Sequence, residues 1–142
     1  MKRFASYILY TLLLAAIVLA CNDRLDINTV YGFDLQTLPV PKTVVQNETV
    51  EIRCQLIKQG NYRDARYSIR YFQPDGKGEL RLDDGTLLTP NDLFPLTKEM
   101  FRLYYTSRST DQQTIDIYIV DNNGQVVKKS FSFTNESAEK EE

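Results

Sequence analysis

Along most of the chain, apolar and polar residues alternate one for one. Val50, Ile52, Cys54 and Leu56 alternate with Glu51, Arg53 and Gln55, and Tyr67, Ile69 and Tyr71 with Ser68, Arg70 and Phe72. Phe101, Leu103 and Tyr105 alternate with Arg102 and Tyr104, and Ile115, Ile117 and Ile119 with Asp116, Tyr118 and Val120. A period of two sends one set of side chains to a core and the other to solvent or a partner, which predicts β-strands. Turn chemistry separates the runs. Asp121-Asn122-Asn123-Gly124 predicts a tight hairpin, because Asn and Gly accept positive φ. Gln73-Pro74-Asp75-Gly76 and Asp83-Asp84-Gly85 predict two further turns, and Gly60-Asn61 a break. Leu38-Pro39-Val40-Pro41 suits an edge or crossing segment, since proline cannot donate to a central ladder. A 3.6-residue period is missing after Cys21, and residues 90–98 have room for at most one helical turn.

The expected strands are Val30–Leu35, Thr43–Val45 with Thr49–Leu56, Arg66–Phe72, Glu79–Leu82, Glu99–Thr106, Thr114–Asp121 and Gln125–Phe133. About seven short strands predict a single all-β domain over residues 30–134, an immunoglobulin-like antiparallel β-sandwich. A small antiparallel barrel is the alternative. At this size folding buries about two-thirds of the unfolded chain's surface, enough for a core without a disulfide.

The N-terminus breaks the pattern. Met1-Lys2-Arg3 is a short positive segment, followed by an apolar run from Tyr7 to Ala20 interrupted only by Thr11. At 1.5 Å per residue this run spans roughly 21 Å, short of the ~30 Å hydrocarbon core of a bilayer. The small residue Ala20 precedes Cys21, and polar Asn22-Asp23-Arg24 follows; the order is that of a secretory leader with its cleavage site. Val18-Leu19-Ala20-Cys21 resembles the bacterial lipobox. That resemblance implies a lipoprotein signal peptide over residues 1–20 and a lipidated Cys21 carrying a diacylglyceryl group and an N-terminal acyl chain such as palmitate. Residues 21–29 then form a tether from the lipid to the domain. One acyl chain holds marginally, whereas two or more anchor stably. The expected location is the cell envelope, lipid-anchored, at the outer membrane. A signal anchor with a coincidental Cys is the alternative. Residues 135–142, charged and with Ala138 as the one apolar residue, predict a disordered acidic tail.

Composition narrows the chemistry. Among 142 residues there is no His and no Trp, and there are two Cys. Ser-His, Cys-His and imidazole-metal arrangements are therefore out of reach, as are four-thiolate zinc and a disulfide framework. No cofactor and no metal is expected. Acidic residues beside glycine in Asp75-Gly76-Lys77-Gly78-Glu79 and Asp83-Asp84-Gly85 lack EF-hand spacing and fit hairpin tips. With Cys21 lipidated, Cys54 is left alone and reads as a small buried thiol. Nineteen acids face seventeen bases; two of the bases, Lys2 and Arg3, precede Cys21, so the remainder carries −4. A weakly acidic chain with dispersed charges has no footprint for direct nucleic-acid binding.

One surface attracts a functional reading. If the strands beginning at Arg66, Thr114 and Gln125 share a sheet, Arg66, Arg70, Phe72, Tyr118, Val120, Val126 and Lys128 cluster on its outer face around Asp116. Arg and aromatic residues concentrate at the centre of protein interfaces. Arg66, Arg70, Phe72, Tyr118 and Lys128 are the candidate protein-binding patch. The competing expectation is ordinary cross-strand pairing, Arg70 with Asp116 and Phe72 with Tyr118.

Several segments together resemble the TraQ family of Bacteroidales conjugative transposons. They are Arg24-Leu25-Asp26-Ile27, Tyr31-Gly32-Phe33-Asp34-Leu35, Glu48 to Cys54, Tyr67 to Phe72, Asp83-Asp84-Gly85 with Pro90, Phe101 to Tyr105, and Ile117 to Asp121. The resemblance runs from about Asp23 to Thr134. It implies a small, non-enzymatic envelope lipoprotein, partnered with the membrane through its lipid and with proteins of the conjugation apparatus, and it transfers only Cys21 as a functional residue. A glycan-binding lipoprotein using Tyr104 or Tyr118 as a sugar platform is the rival reading, and a carboxylate hydrolase a weaker third.

Overall fold

The computed structural model describes residues 2–19, 31–60 and 63–135. Cys21, the tether and the acidic tail after Asn135 lie outside the described residues. Helix α1 (Lys2–Leu19) carries the apolar N-terminal run. The hydroxyl of Thr11, its one polar interruption, donates back to the Tyr7 and Ile8 carbonyls at 3.0 and 2.9 Å, so the helix satisfies it internally. Phe4, Tyr7, Leu9 and Leu12 to Leu14 are exposed. No described helix is long and apolar enough to cross a membrane.

Ten strands follow: β1 (Phe33–Thr37), β2 (Thr43–Val44), β3 (Thr49–Lys58), β4 (Tyr67–Asp75), β5 (Gly78–Leu82), β6 (Leu87–Leu88), β7 (Phe94–Leu96), β8 (Met100–Ser107), β9 (Gln113–Asp121) and β10 (Val126–Asn135). They form two five-stranded sheets, ordered β1-β3-β8-β5-β6 and β2-β10-β9-β4-β7. Two separate sheets make a sandwich, as the alternation implies, and not a closed barrel. Leu35, Ile52, Leu80 and Leu103 from the first sheet meet Ile69, Ile115, Ile117 and Ile119 from the second, all wholly buried.

The differences from the expected strands have local causes. Thr43–Val45 and Thr49–Leu56 belong to different sheets. Asn47, in the left-handed region at φ 70°, turns the chain between them, with the Glu48 carboxylate accepting the Val45 N–H at 2.8 Å. β2 then pairs with the end of β10 in parallel, the exception in a sandwich otherwise antiparallel among the described residues. Gln73-Pro74-Asp75 is not a turn. β4 runs through it with a register shift between Phe72 and Asp75, and the irregularity accommodates a proline that cannot donate. The reversal falls on Gly76, at φ 75°. Residues 90–98 hold no helical turn: β7 pairs there with Tyr67–Ile69, packing Phe94 and Leu96 against the core with Pro95 at the sheet edge. β10 extends to Asn135, which is buried, so the strand takes in the first residue expected in the disordered tail. The Asp121–Gly124 hairpin forms as expected, with Gly124 at φ 84° and the Asp121 carboxylate accepting the Asn123 and Gln125 N–H groups.

One end of the interior is polar. The Tyr105 hydroxyl crosses from the first sheet to the second, donating to Gln113 Oε1 at 2.5 Å and accepting from Gln73 Nε2 at 2.6 Å. Gln113 Nε2 donates to Ser107 Oγ at 2.7 Å and to the Ser109 carbonyl at 3.2 Å. The Tyr105 ring stacks on Phe133 with centroids 5.5 Å apart.

Candidate functional site

β4, β9 and β10 are adjacent, so the expected clustering occurs. Their registers align three outward rows: Ser68–Val120–Val126, Arg70–Tyr118–Lys128 and Phe72–Asp116–Ser130. The middle row places a cation on each side of one ring, with Arg70 Cζ 5.4 Å and Lys128 Nζ 5.7 Å from the Tyr118 centroid. Arg70 also lies 5.9 Å from the Phe72 centroid, and Phe72 meets Tyr118 edge-on at 6.0 Å and 82°. Such contacts contribute about 0.5–1.5 kcal/mol each.

Of the two expected cross-strand pairs, Phe72 with Tyr118 is made, on the diagonal. Arg70 with Asp116 is not: Asp116 takes Lys128 at 3.5 Å and the Ser130 hydroxyl at 2.5 Å. Among the described residues Arg70 has no carboxylate partner, and its Nε is buried with no hydrogen-bond partner. Such a group carries a desolvation cost that a partner would relieve. Phe72 is 38% and Val126 52% exposed, enough apolar surface to meet a second protein beside the cations. Arg66 lies at the end of the same face, its backbone N–H donating to Asn122 Oδ1 at 3.1 Å, outside the ring cluster. Tyr104 and Tyr118 occupy outward positions of opposite sheets, so they form no common sugar platform.

Cys54 is buried, and burial pushes its thiol up to about 12. Nucleophilic thiols are depressed, not raised. In protein carrying Cys21→Ser, Cys54 is expected to resist alkylation at pH 8 until denaturant unfolds the domain; labelling at the rate of a free thiol would contradict its burial. The same shift sets a pH window. A neutral thiol favoured by the fold stabilises fully below its unfolded value of 9.0, and that contribution is lost as pH rises towards about 12. Tyr71 and Tyr105, raised from 10.0 by burial, act in the same direction at still higher pH. Urea midpoints are therefore expected to hold up to pH 9 and fall beyond it, with Cys54→Val delaying the fall. At Asp84 the Thr86 backbone N–H, donating to the carboxylate at 2.9 Å, holds it below the usual range. Among the described residues, no group of three His, Cys, Asp or Glu is placed to hold a metal ion.

The class these features define is the small immunoglobulin-like β-sandwich, in which sheet faces, edges and loops carry the variable chemistry. Within that class, residues 5–136 match the family described as TraQ conjugal transfer protein, and the chain belongs to that family. It is 40% identical to a conjugative transposon lipoprotein from Bacteroides eggerthii, whose crystal structure superposes with a TM-score of 0.70 over 75% of this chain and 100% of that one. It is 55% identical to a lipoprotein from Bacteroides thetaiotaomicron, with a TM-score of 0.70 over 85% of this chain and 93% of that one. A conjugate transposon protein from Bacteroides vulgatus shares 45% identity at a TM-score of 0.67, over 79% and 91% of the two chains. No curated protein matches. The resemblance carried by the scattered segments from Arg24 to Asp121 is to this same family.

Proposed function

We propose that this protein is a non-enzymatic, lipid-anchored module of the cell envelope that assists transfer of a conjugative transposon by binding other proteins of the mating apparatus. The observation that carries the reading is the Arg70–Tyr118–Lys128 row: two cations on one ring, an unpaired buried guanidinium nitrogen and half-exposed apolar neighbours. Membership of a conjugal transfer family supports the process. The lipoproteins it resembles, together with Ala20-Cys21 after a short apolar segment, support an anchor at Cys21 and a place in the cell envelope, and the membrane we propose is the outer one. Anchoring would work through concentration. Confining the domain to a surface raises its encounter rate with neighbours, so a modest interface suffices.

In donor cells, Arg70→Ala with Tyr118→Ala is expected to lower transfer at least about tenfold, by weakening an interface hot spot worth over 1 kcal/mol. The same pair costs the fold only about 1–2 kcal/mol, leaving a folded, membrane-bound protein. Cys21→Ser is expected to release the protein from membranes and remove the lipid mass from its N-terminus. Unchanged transfer with the Arg70/Tyr118 pair, or an unmodified Cys21 thiol in mass spectra of the native protein, overturns the respective half of the reading.

A further inference from the structure

The opposite sheet carries a second, separate feature. β3 and β8 are paired so that Arg53 stands directly across from Arg102. Like charges in that position repel. One oxygen holds them together: Glu51 Oε1 lies 2.9 Å from Arg53 Nε and 3.4 Å from Arg102 Nε. A single carboxylate thus serves two guanidinium groups, leaving a net positive charge. The terminal nitrogens of both forks have no protein partner among the described residues, and both side chains are more than half exposed.

The pair borders a cavity of about 510 Å³, open to one side. Gln36 and Gln55 line it and make no side-chain hydrogen bond within the described residues; Leu38 and Met100, 55% and 70% exposed, supply its apolar wall. The acid lining it, Asp83, is engaged by Lys98 at 3.9 Å.

Each element selects for part of a ligand. Guanidinium forks match the two oxygens of a carboxylate. Free side-chain amides suit a peptide backbone, which offers a donor and an acceptor at every residue. Exposed Leu and flexible Met suit an aliphatic side chain better than a sugar face. We propose that this groove binds an acidic peptide segment of another protein, seating a Glu or Asp carboxylate on Arg53 and Arg102 with a neighbouring apolar residue against Leu38 and Met100. The site lies on the sheet away from Arg70 and Tyr118, so it stands or falls independently of that face.

The test titrates the full chain, in detergent micelles, with a ten-residue peptide alternating Glu and Leu, followed by backbone amide NMR. Saturable shifts are expected at Arg53, Gln55, Met100 and Arg102. Affinity should fall about tenfold or more with Arg53→Gln plus Arg102→Gln, two exposed substitutions that leave the fold intact. Glu51→Gln removes the competing carboxylate and should strengthen binding several-fold, which a purely structural ion pair would not do. Equal binding of a Gln-Leu peptide, shifts confined to β4, β9 and β10, or indifference to the Arg pair would overturn the proposal. Saturable binding of an oligoglucuronate at these residues without binding of the peptide would also overturn it, assigning the groove to an acidic glycan.

Discussion

Replacing Gly78 by Ala is expected to cost about 3 kcal/mol, a drop of roughly 10–20 °C in melting temperature for a domain of this size. Gly78 opens β5 on its inward side, and a Cβ there would collide with the Tyr105 ring and hydroxyl. A flexible side chain could swing away, but Tyr105 cannot. It is wholly buried, stacked flat on Phe133 and tied by its hydroxyl to Gln73 and Gln113 in the other sheet. Relief requires moving either the ring or the β5 backbone, which is paired through Leu80 to Tyr105 itself. Gly85→Ala is the control. Gly85 sits at φ 89° with nothing within 4 Å of the place a methyl would take, so its substitution costs only the left-handed strain, about 1 kcal/mol. Thermal melts of the two variants separate steric from conformational cost, and equal losses would refute the packing argument.

Gln113→Leu should be nearly as damaging, at about 2–4 kcal/mol, although it swaps a polar group for an apolar one of similar size in a fully buried position. In most cores such a change is mild. Here it removes the acceptor of the Tyr105 O–H, which keeps only the bond it accepts from Gln73, and the donor to Ser107 Oγ, which keeps only its own bond to the Ser109 carbonyl, with both hydroxyls wholly buried. Tyr105→Phe leaves Gln113 Oε1 without its donor and Gln73 Nε2 with only its bond to the Asp75 carbonyl, and is expected to cost about 1–3 kcal/mol. The double variant should cost less than the sum, by about 1 kcal/mol or more, because each change removes a group the other would orphan. Urea titrations of the four proteins in the cycle measure that coupling. Strict additivity would show that Tyr105 and Gln113 are not coupled.

These two positions mark where reading the chain stops. Alternation places Ile115, Ile117 and Ile119 in the core, where they are found, because a strand's inward set is written locally. It places the start of that strand at Thr114, since Gln113 looks like a polar residue belonging to a loop. The burial of Gln113 depends on Tyr105 from another sheet reaching it. The Arg70 row is legible for the same local reason: once β4, β9 and β10 are neighbours, outward residues must align. Its detail is not, because the register sets Tyr118 rather than Asp116 opposite Arg70. The Arg53–Arg102 groove is invisible in the sequence. Each Arg reads alone as a solvated strand residue, and only the β3–β8 pairing sets them face to face.

What the sequence determined by itself was the all-β class, the main strands, the hairpin at Gly124, the burial of Cys54 and the family. All of these follow from local periodicity, turn stereochemistry or residue identity. Tertiary structure alone decided which sheet each strand joined, that the chain passes through Gln73-Pro74-Asp75 without turning, and which charges became partners. The reason is physical: pairing between strands tens of residues apart is chosen by the packing of the whole core, and a shift of register by a single residue exchanges the inward and outward sets.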